Sequence, residues 1–260
     1  MSPQEMDALV ERIGDEILAR VGGPKAPSAA ASAWPRPQRG YASAIEAMAL
    51  GSGVTAGSLD ATCAAASALG LRAVWTASSW TPRAYRLLAG GSVRIGAAVG
   101  FPHGDATPAA KRSEAETALA AGAEELLTTL NAGAWLSGER DRAWVDLLAV
   151  CELARSAEAP VTAALDAASL DGAELVRAAI AARLAGASAI QLTGWPAGGS
   201  PRAEQVRLLA EAVGEDLIVG AAGSVTTFAT AAAYAAAGAA RVAACDAAAV
   251  LADAPPQPGG

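Results

Sequence analysis

The apolar positions of this chain fall into two rhythms. Between residues 4 and 21, Met6, Leu9, Val10, Ile13, Ile17, Leu18 and Val21 recur at helical spacing, with Asp7, Glu11, Arg12, Asp15, Glu16 and Arg20 between them. Steps of three and four residues gather side chains on one face of a helix, so this stretch predicts an amphipathic helix with Leu9, Ile13 and Ile17 in its apolar stripe. Gly22-Gly23-Pro24 ends it, and the following residues are rich in Pro, Ala, Ser and Gly, as a solvated linker is. The expected units are a helix over 1–23, a linker over 24–41, a folded domain over 42–253 and a tail over 254–260.

From residue 42 short apolar runs alternate with longer helical patterns. Strands are predicted over 45–50, 73–76, 94–99, 125–130, 161–165, 189–192, 217–221 and 241–244. Helices are predicted over 58–69, 82–88, 109–121, 140–156, 171–184, 201–213, 225–236 and 246–251. Eight strands alternating with eight helices describe a (β/α)8 TIM barrel, whose chemistry sits at the carboxyl ends of its strands. A doubly wound open sheet competes, but no Gly-x-Gly-x-x-Gly turn follows the early strands.

Composition narrows the function. With 53% apolar residues in 260, the chain can fill the core of one large domain. A formal charge of −7 without any basic run argues against nucleic acid and anionic membrane as partners, which leaves small neutral or metabolite ligands. Cys63, Cys151 and Cys245 are odd in number and scattered, so they read as free thiols of a cytoplasmic protein. His103 is the single histidine and cannot build a multi-histidine metal site; no cofactor and no metal are expected. No run approaches the roughly 20 apolar residues that span a bilayer, and the acidic residues within the first apolar stretch argue against a signal peptide.

Several motifs carry a resemblance. Val99-Gly100-Phe101-Pro102-His103-Gly104 is followed by Ala109-Ala110-Lys111, Glu114-Ala115, Asn131-Ala132-Gly133-Ala134 and Ser137-Gly138. From about residue 58 to 251 this resembles the deoxyribose-phosphate aldolase family. The resemblance implies a class I aldolase with a (β/α)8 fold, cleaving 2-deoxyribose 5-phosphate to acetaldehyde and glyceraldehyde 3-phosphate. It also implies a Schiff-base lysine, a second lysine that lowers the pKa of the first, and an aspartate that shuttles protons.

The chain departs from that pattern at each reacting position. Leu127 stands at the place of the aspartate, Gln191 at that of the Schiff-base lysine and Gly220 at that of the second lysine. An amide cannot form an iminium with an aldehyde. Only Lys25 and Lys111 exist, and Lys111 falls within the helix after the third strand, where it is expected to face outward or pack on a neighbouring helix. Gly223, Ser224, Cys245 and Asp246 occupy the former phosphate site, where Asp246 is expected to cap a helix and repel a phosphate.

Trp75, Asn131, Asp166, Gln191, Thr193 and Trp195 make up a candidate pocket, with Trp75 and Trp195 expected to fill part of it. Two readings of Asn131, Gln191 and Thr193 stand: a polar pocket for a neutral metabolite, or barrel groups satisfied internally. His103 reads as a structural loop residue or a base, and Cys245 as an apolar filler or a reactive thiol. Glu125 begins a strand and Asp166 ends one, which places them at opposite ends of the barrel.

The first 41 residues resemble the encapsulation peptides of bacterial microcompartments. That implies shell-protein partners for residues 1–23 and a location inside such a compartment; packing of the helix on its own barrel is the alternative. The function expected overall is a catalytically degenerate aldolase-like barrel that serves as structural or regulatory partner of an active paralogue or of its own copies. The alternative is an enzyme with altered catalytic residues acting on a small non-phosphorylated substrate.

Overall fold

In the computed structural model, which describes residues 2–21, 40–195 and 198–255, eight parallel strands close into a barrel in sequence order. They are β1 (Ile45–Ala49), β2 (Ala73–Ala77), β3 (Arg94–Val99), β4 (Glu125–Thr129), β5 (Val161–Asp166), β6 (Ala189–Thr193), β7 (Ile218–Gly223) and β8 (Arg241–Ala244). β8 returns to β1 with Ile45 opposite Val242 and Glu46 opposite Ala243, which leaves no sheet edge. The predicted TIM barrel is therefore the fold, with each predicted strand in place. Their continuous apolar runs follow from burial on both faces, by the lumen inside and by the helices outside.

Ten α-helices accompany the strands among the described residues: α1 (Pro3–Val21), α2 (Ala56–Leu69), α3 (Thr81–Leu88), α4 (Pro108–Ala120), α5 (Ala132–Leu136), α6 (Arg140–Ser156), α7 (Gly172–Ala185), α8 (Ala203–Val213), α9 (Phe228–Ala236) and α10 (Ala247–Ala252). Capping oxygens set the starts of several of them. The side chains of Thr55, Thr107, Asp171, Thr227 and Asp246 each accept a backbone N–H of the first turn. α9 thus begins at Phe228, three residues later than its apolar pattern suggests, because Thr227 caps it. α2 stops at Gly70, whose φ of 68° suits a residue without Cβ.

α1 corrects an expectation. It does not stand off on a linker for an outside partner; it packs across α7, α6 and α8. Met6 and Val10 are fully buried, Ile13 and Ile17 are partly buried against the core, and Leu9 is half-buried. Burial of two such side chains contributes about 3–6 kcal/mol to docking. Polar contacts fix the angle: Arg177 meets Glu11 at 3.0 Å and Asp15 at 2.7 Å, while Arg140 bridges Glu11, Asp7 and Glu174. Residues 24–39 of the predicted 24–41 linker, and with them Lys25, lie outside the described residues, as do residues 256–260 of the predicted tail.

The base of the barrel is closed by buried charge. Glu46 and Glu125 are within 1% of full burial, and Arg72 reaches both at 2.7 Å. Burial pushes the Glu46 carboxyl above the usual carboxylate range, with Arg72 opposing it.

Two outcomes follow. Val10→Asp is expected to detach α1, seen as faster tryptic cleavage after Arg12 and Arg20 while the far-UV circular dichroism of the barrel persists. Arg72→Met is expected to lose about 3–5 kcal/mol at pH 8, since two buried carboxylates lose their cation. A buried carboxyl whose folded pKa is raised binds its proton more readily in the folded state. Its stabilising share is present below the unfolded pKa near 4.5 and is lost as pH rises through the folded value. Urea midpoints of variant and parent should therefore converge as pH falls from 8 to 5.

Candidate functional site

Side chains alternate inward and outward along each strand. Met48, Trp75, Ala98, Leu127, Ala164, Ala222 and Ala243 form one apolar cluster inside the barrel. Gln191 lies in register between Ala164 of β5 and Gly220 of β7. A Cβ added to Gly220 would collide with the Gln191 Oε1, so the two share one small volume. Leu127, Gln191 and Gly220 are thus brought together in the lumen, on β4, β6 and β7.

Trp75 and Trp135 are the two largest fully buried side chains among the described residues, and Trp75 is the one in the lumen. Its Nε1 donates to Glu46 Oε2 at 2.8 Å, and its ring lies where a Cβ on Gly96 would have to sit. This places it in the core toward the barrel base, filling the lumen beside Leu127 and Ala98.

The remaining polar candidates are engaged locally. Asn131 Oδ1 accepts the Ala134 N–H at 2.9 Å and caps α5, a short helix that the periodicity did not indicate. Asp166 accepts the Ala168 N–H at 2.9 Å and the Ser169 hydroxyl. The Thr193 hydroxyl donates to the Trp195 carbonyl at 3.2 Å. Gln191 differs: it is 1% exposed, and its Nε2 has no hydrogen-bond partner among the described residues. An orphaned buried donor costs about 1–3 kcal/mol. Glu125 and Asp166 do stand at opposite ends of the barrel.

Gly223 pairs with Ala244, so Gly223-Ser224 and Cys245-Asp246 follow each other at the adjacent ends of β7 and β8. The Ser224 N–H donates to the Gly199 carbonyl at 3.1 Å, and a Cβ on Gly223 would lie 2.7 Å from that oxygen. The segment after β6 therefore covers the end of β7. Cys245 is exposed and lines an outer groove with Thr62 and Ala65 of α2, where desolvation pushes its thiol pKa above the ordinary range. Asp246 caps α10 by accepting the Ala249 N–H at 2.9 Å.

Lys111 packs on a neighbouring helix with its amine fully buried rather than outward. Nζ donates to the Thr129 carbonyl at 2.9 Å and meets Asp146 Oδ2 of α6 at 3.3 Å, between the barrel wall and the helix layer. Burial pushes its pKa down, and Asp146 opposes that shift.

A cavity of about 450 Å³ opens at the carboxyl ends of β1, β2 and β3. Leu50, Ala77, Ala98, Phe101 and Trp195 form its apolar walls, with Gly51, Ser52 and His103 around it and Glu114 at one side. The Phe101 and Trp195 rings meet edge to face at 5.4 Å. Glu114 accepts the Ser78 hydroxyl and the Gly100 N–H, both at 2.8 Å. Trp195 is the one member of the six-residue candidate pocket that lines this cavity. Glu114 belongs to the motif around Lys111, but only folding brings it against β2 and β3. No group of three or more His, Cys, Asp or Glu able to hold a metal ion exists among the described residues, and no helix among them is long and apolar enough to cross a membrane.

An eight-stranded α/β barrel whose mouth and lumen carry these motifs defines an aldolase-type scaffold. The chain belongs to the deoxyribose-phosphate aldolase family. It is 34% identical over 185 residues to the deoxyribose-phosphate aldolase of Streptococcus pneumoniae serotype 19F (strain G54), covering 71% of this chain and 83% of that one. It is 37% identical over 191 residues to that of Mycolicibacterium paratuberculosis (strain ATCC BAA-968 / K-10), covering 72% and 85%. The fold matches the tetrameric deoxyribose phosphate aldolase of Aeropyrum pernix with a TM-score of 0.76 at 25% identity, over 92% of this chain and 95% of that one. A Coccidioides immitis protein named for the same aldolase superposes with a TM-score of 0.80 at 23% identity, over 97% of each chain. No protein-family model matches the chain.

Removing the Lys111 amine isolates the Asp146 carboxylate. Lys111→Met is expected to destabilise by about 3–5 kcal/mol, and the Lys111→Met/Asp146→Leu double variant to recover most of that loss. Urea denaturation of the single and double variants measures both.

Proposed function

We propose that this chain is a catalytically degenerate member of its family, acting by binding and association instead of an aldol step. The observation that carries this reading is the placement of amide, hydrocarbon and glycine at Gln191, Leu127 and Gly220 in the lumen, with Lys111 held outside the barrel wall by Thr129 and Asp146. A Schiff base needs a neutral amine within reach of the carbonyl carbon. A Lys111 bonded behind the strands does not meet that condition.

Association with an active family member or with copies of this chain fits a scaffold whose Aeropyrum pernix relative is a tetramer. A cytoplasmic setting fits three free cysteines. The targeting role for residues 1–23 and the microcompartment location find no support in the docked helix, whose apolar face is already covered by α6, α7 and α8. A second reading, an enzyme with altered residues and a non-phosphorylated substrate, is favoured by one observation, the cavity at the barrel mouth.

Incubation with 2-deoxyribose 5-phosphate, followed by borohydride trapping and intact-mass measurement, is expected to give neither turnover nor adduct. Native mass spectrometry after co-expression with an active family member is expected to give mixed oligomers. A trapped adduct would overturn the degenerate reading, and strictly separate monomers would overturn the association.

A further inference from the structure

The mouth cavity is built for a different ligand chemistry from a phosphorylated sugar. Its volume of about 450 Å³ suits a small molecule, inside the roughly 300–1,000 Å³ range of ligand sites. Ala98 of the lumen cluster lines it, and Leu50, Phe101 and Trp195 pack against that cluster. In a chain with only 4% aromatic residues, the two rings that converge here are set edge to face.

The charge around the cavity points the same way. No Lys or Arg lines it, and the Glu114 carboxylate stands in its wall. Anion recognition by loops needs free backbone N–H groups or cations. Here the Gly100 N–H is already given to Glu114 at 2.8 Å. A phosphate dianion would lose its hydration, face a carboxylate and gain no donor from that N–H.

We infer that the barrel mouth binds a small uncharged molecule with a planar apolar body, held between Phe101, Trp195 and the Ala77 and Ala98 methyl groups. Glu114 retains lone pairs that can accept one hydroxyl or N–H of such a ligand. The edge-to-face ring pair leaves aromatic surface for a third ring. The inference is independent of the aldol question, because it concerns what the cavity holds and no covalent step.

Calorimetric melting of the full chain with indole and with p-cresol tests it, with inorganic phosphate and 2-deoxyribose 5-phosphate as comparators. At tenfold its Kd, indole or p-cresol is expected to raise Tm by roughly 3–6 °C, and the phosphates to produce no rise. Ala98→Leu fills the floor and should weaken binding at least tenfold. Ser52→Trp obstructs the mouth from an exposed loop position and should do the same where the floor variant fails to fold. Absence of a rise with both aromatic probes, a rise retained in every folded filling variant, or stronger stabilisation by the phosphates would each overturn the inference. An adduct under borohydride concerns the degenerate reading alone, so the two failures are told apart.

Discussion

A closed barrel must fill its own lumen, and in this chain that constraint is met by one large ring surrounded by small side chains. Trp75 occupies the space that Gly96 leaves open and is anchored through Nε1 to Glu46, which Arg72 in turn ties to Glu125. Around it β3, β5, β7 and β8 contribute Ala98, Ala164, Ala222 and Ala243. Methyl groups are what remains sterically possible once an indole and Leu127 share the interior, since protein cores pack to the density of organic crystals. The packing solution therefore limits the chemistry: a lumen filled with hydrocarbon has a low dielectric, and an ionised lysine or aspartate would enter it only at a large desolvation cost.

The fold was legible in the sequence because it rests on local patterns. Strands such as β4 and β5 are short apolar runs, and capping residues such as Asp171 and Thr107 stand beside the helices that they start. α5 was missed because it spans only Ala132–Leu136 and depends on the Asn131 cap more than on periodicity. The docking of α1 was illegible for a different reason. Its polar partners Arg140 and Arg177 lie 129 and 162 residues from Glu11 and Asp15, and nothing in an amphipathic stripe tells which surface will cover it.

The site divides along the same line. Strand positions such as Leu127, Gln191 and Gly220 could be placed in the lumen from the motif, because alternation along a strand fixes direction once register is known. Loop-borne features could not. The cavity joins residues after β1, β3 and β6 with Glu114 from α4, and the cover over Gly223 comes from Gly199. Asn131, Asp166 and Thr193 were plausible pocket residues by type, yet each is spent on a hydrogen bond within three residues of itself. Short polar side chains at strand ends have backbone donors and acceptors close by, and those contacts cost little conformational entropy to make.

The buried Lys111 clarifies what retention and loss mean here. Its amine is fixed by a carbonyl of β4 and a carboxylate of α6, so it fastens the helix layer to the barrel wall and has a structural reason to persist. A lysine placed in the apolar lumen would meet no such partner, and its charge there would carry a desolvation penalty. Gln191 brings a neutral amide to the lumen instead, at the smaller cost of one unpartnered Nε2. Most buried charge in the chain is thus met by an opposite charge or a carbonyl, at the barrel base, under α1 and behind β4, while Asp166 at the end of β5 is held by the Ala168 N–H and the Ser169 hydroxyl.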